Sequence, residues 1–139
     1  MAKFVLKNAF ITVDGVNLSD HCSSVTIETT FDEVDVTGFG GTYKEIIQGM
    51  GDATITLNVF QDFAAGSVDA TLWPLSQSGA TFPVVVRATS AVVSATNPQY
   101  GMTGVLLNYN PIAGGVGEAS TTDVAIRNGA QTGLTRAIA

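Results

Sequence analysis

Between Thr81 and Arg127 the chain writes one pattern three times. Thr81-Phe82-Pro83-Val84-Val85-Val86-Arg87, Met102-Thr103-Gly104-Val105-Leu106-Leu107-Asn108-Tyr109 and Thr122-Asp123-Val124-Ala125-Ile126-Arg127 each place β-branched and aromatic residues at the two-residue period of a half-buried strand. Gly, Pro and Asn punctuate the intervals, as in Ser94–Gly101 and Pro111–Gly117. Such strands must find partners for their backbone groups. The segment holds no grouping of acid, base and nucleophile, so it points to assembly rather than catalysis.

Further strands precede it. Asn8–Val13 alternates and meets Asp14-Gly15, a dipeptide suited to the positive φ angles of a tight hairpin, with Val16–Leu18 returning. In Val25-Thr26-Ile27-Glu28-Thr29 the residues Val25, Ile27 and Thr29 share a face opposite Thr26 and Glu28. Ala53–Phe60 is the plainest strand: Ala53, Ile55, Leu57 and Val59 face a core, while Thr54, Thr56 and Asn58 form a polar, uncharged face. After the turn Asn128-Gly129, Leu134–Ile138 reads as a short last strand or a docking arm.

One helix is expected from Ser67 to Gln77. Ser67 suits the N-cap, Asp69 the first turn and Gly79 the end, with Val68, Leu72 and Leu75 forming an apolar stripe. Pro74 interrupts it, because an interior proline removes a backbone hydrogen bond, so two short turns are expected, with Trp73 packed or facing a neighbour. Phe31–Gly51 is too long for a structureless loop in a compact domain, and its aromatic residues argue against disorder. It reads as an extended arm or loose hairpin, ordered when another subunit covers Phe39, Tyr43, Ile46 and Ile47.

Composition sharpens this reading. A single domain of 139 residues has an ordinary core, yet only 13% of the residues are charged, about half the usual share, so much of the surface is neutral. Such a surface suits burial against copies of itself. The net charge is −6, and the cations Lys3, Lys7, Lys44, Arg87, Arg127 and Arg136 form no basic stripe, which excludes tight phosphate binding. Cys22 is the sole cysteine, so no intrachain disulfide forms. Only three apolar residues lie between Lys3 and Lys7, well short of a signal-peptide core, and no apolar run approaches a membrane span. Folding in the cytoplasm, without membrane association, is expected.

The chemical motifs are thin. His21 and Cys22 are adjacent, and in an extended stretch their side chains diverge, so they make no nucleophile–base pair; no further His or Cys completes a zinc site. Asp32, Glu33 and Asp35 lack the spacing and distal Glu of an EF-hand loop and read as a solvated or intersubunit acidic patch. Gly38-Phe39-Gly40-Gly41 and Gly114-Gly115-Val116-Gly117 neither open a helix nor carry a P-loop lysine, and read as turns. No cofactor, metal or catalytic site is expected.

The order of sheet, long loop, strand, helix and three closing strands resembles the major tail, or tail tube, proteins of long-tailed bacteriophages. The resemblance is most specific in Gly79–Val86, Tyr100–Pro111 and Gly115–Glu118. It implies a mainly β fold, a β-sandwich or half-barrel with one flanking helix and a long extended loop. It further implies six-membered rings that stack into a tube conducting genomic DNA, in a virion tail assembled in the host cytoplasm. The partners implied are other copies of the chain and the tape measure, terminator and distal tail proteins. The loop residues Phe31, Asp32, Glu33, Asp35, Phe39, Tyr43, Lys44, Ile46 and Ile47 would then contact an adjacent subunit or ring. Glu28, Asp52, Thr54, Thr56, Asn58 and Asp123 would line a neutral to anionic bore. A β-sandwich binding module, such as a capsid decoration or carbohydrate-binding domain, is the alternative; an exposed aromatic platform would favour it, and Trp73 lies instead on the expected helix.

Overall fold

A computed structural model describes residues 3–139. The strands are β1 (Phe10–Val13), β2 (Val16–Asn17), β3 (Cys22–Asp35), β4 (Ile46–Phe60), β5 (Phe82–Arg87), β6 (Gln99–Asn108), β7 (Thr121–Asn128) and β8 (Thr135–Ala137). The helix α1 spans Val68–Ser78. All eight strands join one sheet in the order β2-β1-β5-β6-β7-β4-β3, with β8 pairing beside β6, and every pairing between named strands is antiparallel. The mainly β architecture with one flanking helix is as expected.

Chain connectivity dictates the shape of that sheet. β2 and β3 occupy opposite ends of the strand order, six strand spacings apart, which in a flat sheet is roughly 29 Å. Only Leu18 and a single 3-10 turn, Ser19–His21, connect them, and five extended steps from Asn17 to Cys22 reach at most about 18 Å. The sheet therefore rolls up until its first and last strands approach, and of the two architectures expected the half-barrel is built. Leu18 plugs the connection and is buried. Ser19 ties it to β1, its hydroxyl accepting from the Ile11 N–H at 2.8 Å.

Inside the roll, the alternate residues Ile55, Leu57 and Val59 of β4, Val84 of β5, and Val124 and Ile126 of β7 are buried. They form one core with Val68, Leu72 and Leu75 of α1 and with Val25 and Ile27 of β3. Each fully buried aliphatic side chain contributes about 1.5–3 kcal/mol. The Asp14-Gly15 hairpin has φ of 52° and 78°, as its sequence requires.

The helix starts after Ser67 and ends at Gly79, whose φ of 67° is left-handed. It is continuous through Pro74, contrary to the two short turns expected. Pro74 and Ala70, the residue whose carbonyl loses its partner, are both exposed, so the lost hydrogen bond falls on the outer side while the opposite stripe stays packed. Trp73 is half exposed on the same outer side.

Gly104 is the tightest point of the core-facing sheet. A Cβ there would lie 2.4 Å from Ile126 Cγ2 and 3.4 Å from the Arg127 carbonyl. Ile126 is buried and stiff at χ1, so it cannot step aside. Gly104→Ala is expected to cost about 1–3 kcal/mol by overpacking, seen as a lowered urea midpoint; an unchanged midpoint would mean that β6 and β7 separate freely.

Candidate functional site

Two features stand out from the roll: a four-stranded face turned away from the core, and a hairpin that projects beyond it. Direct strand partners share a face, so the registers define the first. Across β3, β4, β7 and β6 run the rows Glu28–Thr54–Arg127–Val105 and Thr26–Thr56–Ala125–Asn108, with Ser24–Asn58–Asp123 below them. Thr30 and Asp52 continue it on β3 and β4. All six residues expected to line a bore, Glu28, Asp52, Thr54, Thr56, Asn58 and Asp123, thus lie on one face.

Asn58 organises the polar row. Its Nδ2 donates to Asp123 Oδ1 at 2.7 Å and its Oδ1 accepts from the Ser23 hydroxyl at 2.6 Å. Arg127 pairs with the Asp52 carboxylate on this face. Arg127 is not among the six bore candidates, although the alternation Asp123-Ala125-Arg127 puts it on the same face as Asp123. The pairing consumes one cation and one anion, leaving Glu28 and Asp123 in excess. This face has no positive patch to hold a polyanion.

The second feature is the arm. β7 covers β4 only from Thr54 to Phe60, so the remainder of β4, from Ile46, pairs with β3 alone. The ladder continues through Phe31–Gly51, Val34–Ile47 and Asp35–Ile46, with a bulge on β4 that sets Gly49 and Met50 opposite Asp32. The segment expected as a loose arm is therefore a regular two-stranded hairpin, and its loop is confined to residues 36–45. Glycine shapes it: a Cβ on Gly51 would lie 2.7 Å from the Phe31 ring, and one on Gly49 would lie 2.9 Å from Val34 Cγ2. The aromatic ring takes the space that the glycine leaves.

The tip is closed by polar contacts. The Val36 N–H donates to the Glu45 carbonyl at 2.9 Å, and the Glu45 N–H donates to the Thr37 hydroxyl at 2.8 Å. Hydrogen bonds from Thr37, through its hydroxyl and its backbone N–H, lower the Asp35 pKa. Asp32, Glu33 and Lys44 are exposed on the arm. So are Phe31, Ile46 and Ile47, while Phe39 and Tyr43 at the tip are 111% and 90% exposed. Both rings thus stand clear of the rest of their own chain.

The titratable groups elsewhere form no reactive set. The His21 ring contacts Asp20 Oδ1 at 2.9 Å and Asp62 Oδ2 at 3.0 Å, and the same Asp62 oxygen accepts from the Ser67 hydroxyl at 2.7 Å. The carboxylate stands between imidazole and hydroxyl, the wrong order for activating a serine. Burial, then the Asp20 charge, pushes the Cys22 thiol up to about 11, so it stays protonated and unreactive at neutral pH. Among the described residues no cluster of His, Cys, Asp or Glu could hold a metal ion.

His21 instead latches the connection between the sheet's two ends to the segment leading into α1. Partial burial pulls its pKa down, but hydrogen bonds and charge from Asp20 and Asp62 outweigh this and raise it above 6.5. Asp62 is lowered below 3.8 by the Ala64 N–H, the Ser67 hydroxyl and His21. The His21 contribution is complete below its unfolded pKa and is lost as pH rises through the folded one; the Asp62 contribution is lost as pH falls. Urea midpoints are expected to be higher at about pH 5.5 than at about pH 8.5, and His21→Ala should shrink the difference. An equal difference in the variant would show that His21 is no latch.

The sequence matches no protein-family model and no curated protein. The fold does match solved structures. A chain from the virion of a native gene transfer agent particle superposes with a TM-score of 0.74 at 14% identity, over 93% of this chain and 95% of that one. A chain from the sheath–tube complex of an extracellular contractile injection system, in its extended state, gives 0.71 at 9% identity over 99% and 93%. A chain from the tail of an empty gene transfer agent particle with C6 symmetry gives 0.67 at 14% identity over 83% and 81%. The rolled sheet with its projecting hairpin is thus a fold found in virion tails and contractile injection systems, and the resemblance to tail tube proteins read from the sequence holds at the level of the fold.

Proposed function

We propose that the protein is a structural subunit of a virion tail, self-assembling into stacked rings whose common bore conducts genomic DNA. The observation that carries this reading is the four-stranded face with both borders open. On one side β3 pairs only with β4, leaving its outer edge free from Cys22 to Asp35. On the other, β5 pairs with β6 only as far as Gly104, so Val105–Asn108 pairs with β7 alone, and Leu107 there is 71% exposed. An unpaired edge is a template for another strand. Joining β3 of one copy to the far end of β6 in the next repeats one head-to-tail contact, which closes when the rotation allows. Six copies per ring accord with the C6 symmetry of a tail that shares the fold.

Closure of this kind would turn the uncharged Thr54, Thr56 and Asn58, with Glu28, Asp52 and Asp123, toward the bore. DNA then slides without being gripped, because a wall without clustered cations releases few counterions. The arm, with Phe39, Tyr43, Ile46 and Ile47, would reach an adjacent subunit or ring. Tape measure, terminator and distal tail proteins would fill and cap the tube.

Negative-stain imaging of the purified protein is expected to show rings or tubes, and a monomer at every concentration would overturn the proposal. Leu107→Asp places a charge at the ring joint and should leave folded monomers; tubes from this variant would rule that joint out. Replacing Thr54 and Thr56 together by Lys should leave tubes intact but slow DNA ejection. Unchanged ejection kinetics would mean that this face is turned away from the bore.

A further inference from the structure

We propose that the basic, apolar strip Lys3-Phe4-Val5-Leu6-Lys7 of one copy docks along the base of the arm of a second copy, an inference that rests on the self-assembly proposed above. The strip joins no strand, and Phe4, Val5 and Leu6 are 72%, 73% and 51% exposed. Three neighbouring apolar side chains left in water, bracketed by two lysines, form half of an interface. Lys3 and Lys7 make up a third of the chain's six cations.

The complementary half lies at the root of the hairpin. An open cleft of about 570 Å³ runs there between Phe31, Met50 and Gly51 on one wall and Ala130 and Leu134 on the other. Phe31 is 52% and Met50 81% exposed, so the wall is as unpartnered as the strip. The stretch from Glu28 to Asp52 holds six carboxylates, Glu28, Asp32, Glu33, Asp35, Glu45 and Asp52, against the single cation Lys44. Asp52 is the one charged residue of the cleft's lining and is paired with Arg127, so the unpaired carboxylates nearest the cleft are Asp32 and Glu33, which follow Phe31 on the arm, and the strip is apolar with positive ends. Apolar burial would supply the affinity, and the lysines the orientation and encounter rate.

Geometry makes the contact intermolecular. Leu6 and Lys7 line a cleft with Cys22, Ser23 and Val25, at the opposite end of β3 from the arm. Phe31 lies six residues beyond Val25, about 20 Å along the strand. Phe4 is two residues from Leu6 and extends the reach by only about 7 Å. A strip rooted beside Val25 therefore falls short of its own arm, whereas a second copy can present its arm base directly. Each copy offers one strip and one groove, again a head-to-tail relation that propagates.

The test uses the full chain. Lys3→Glu with Lys7→Glu should leave the melting curve unchanged and raise the concentration needed for multimers, by sedimentation velocity, at least about tenfold. Adding Asp32→Lys and Glu33→Lys to those reversals should restore assembly. In a Cys22→Ala background, Leu6→Cys with Met50→Cys should oxidise to chain-to-chain disulfides. Normal assembly of the lysine variant, or disulfides only within one chain, would overturn the docking while leaving the self-assembly reading in place. A wild-type chain that stays monomeric at all concentrations would remove both.

Discussion

The short crossing from Asn17 to Cys22 governs much of what this molecule is. Because one turn of chain must carry the path from one end of the sheet to the other, a flat sheet is geometrically impossible and the strands must wrap. Wrapping gives the sheet an inside, filled by the alternate aliphatic residues of β4, β5 and β7 and sealed by α1. It also gives an outside from which those residues are absent. The His21–Asp62 contact and the Ser19 hydrogen bonds hold that crossing, so small polar contacts stabilise a shape that the hydrophobic core alone does not specify.

The two faces then answer to different physics. The inner face is limited by volume, which is why Gly104 lies diagonally against Ile126 where a Cβ would collide. The outer face is selected for neutrality. Threonine supplies strand propensity and hydrogen-bonding capacity without charge, and the one cation of the β7 stretch is neutralised by Asp52 across the sheet. With so few charged residues in the chain, each placement counts: carboxylates gather on the arm, where Lys44 is the one cation, and Lys3 and Lys7 bracket the strip near the start of the described residues.

The sequence revealed those parts of the fold in which one face of an element is buried and the other is not. β4 from Ala53, β5, β6 and β7 alternate because only their inner side chains meet the core, and the bore candidates follow from the same period. The helix was also legible from its stripe and its Gly79 stop, whereas Ser67 holds the N-cap position with its hydroxyl turned to Asp62 instead of the helix, and Pro74 does not divide the helix, its lost hydrogen bond falling on the exposed side. The arm was partly hidden, since both of its faces are exposed and no burial period marks its strands. Its signals are Gly49 and Gly51, which look like breakers but serve as seats for Val34 and the Phe31 ring. Sheet order was hidden altogether. Nothing local to β2 or β3 states that they end at opposite borders, and that fact decides the curl.

A hairpin that is already paired within its own chain changes the energetics of assembly. A disordered arm loses backbone freedom worth roughly 1–2 kcal/mol per residue when it docks, a loss that would consume much of what its apolar side chains gain. Here the ladder from Thr30 to Asp35 fixes the arm before any partner arrives, so only the loop 36–45 has freedom left to lose. The bulge of β4 at Gly49 and Met50, opposite Asp32, twists the strand pair and disrupts regular edge pairing. Charge on Asp32, Glu33 and Asp35 adds repulsion between identical arms. The features that order the arm therefore also oppose its pairing with the identical arm of another copy.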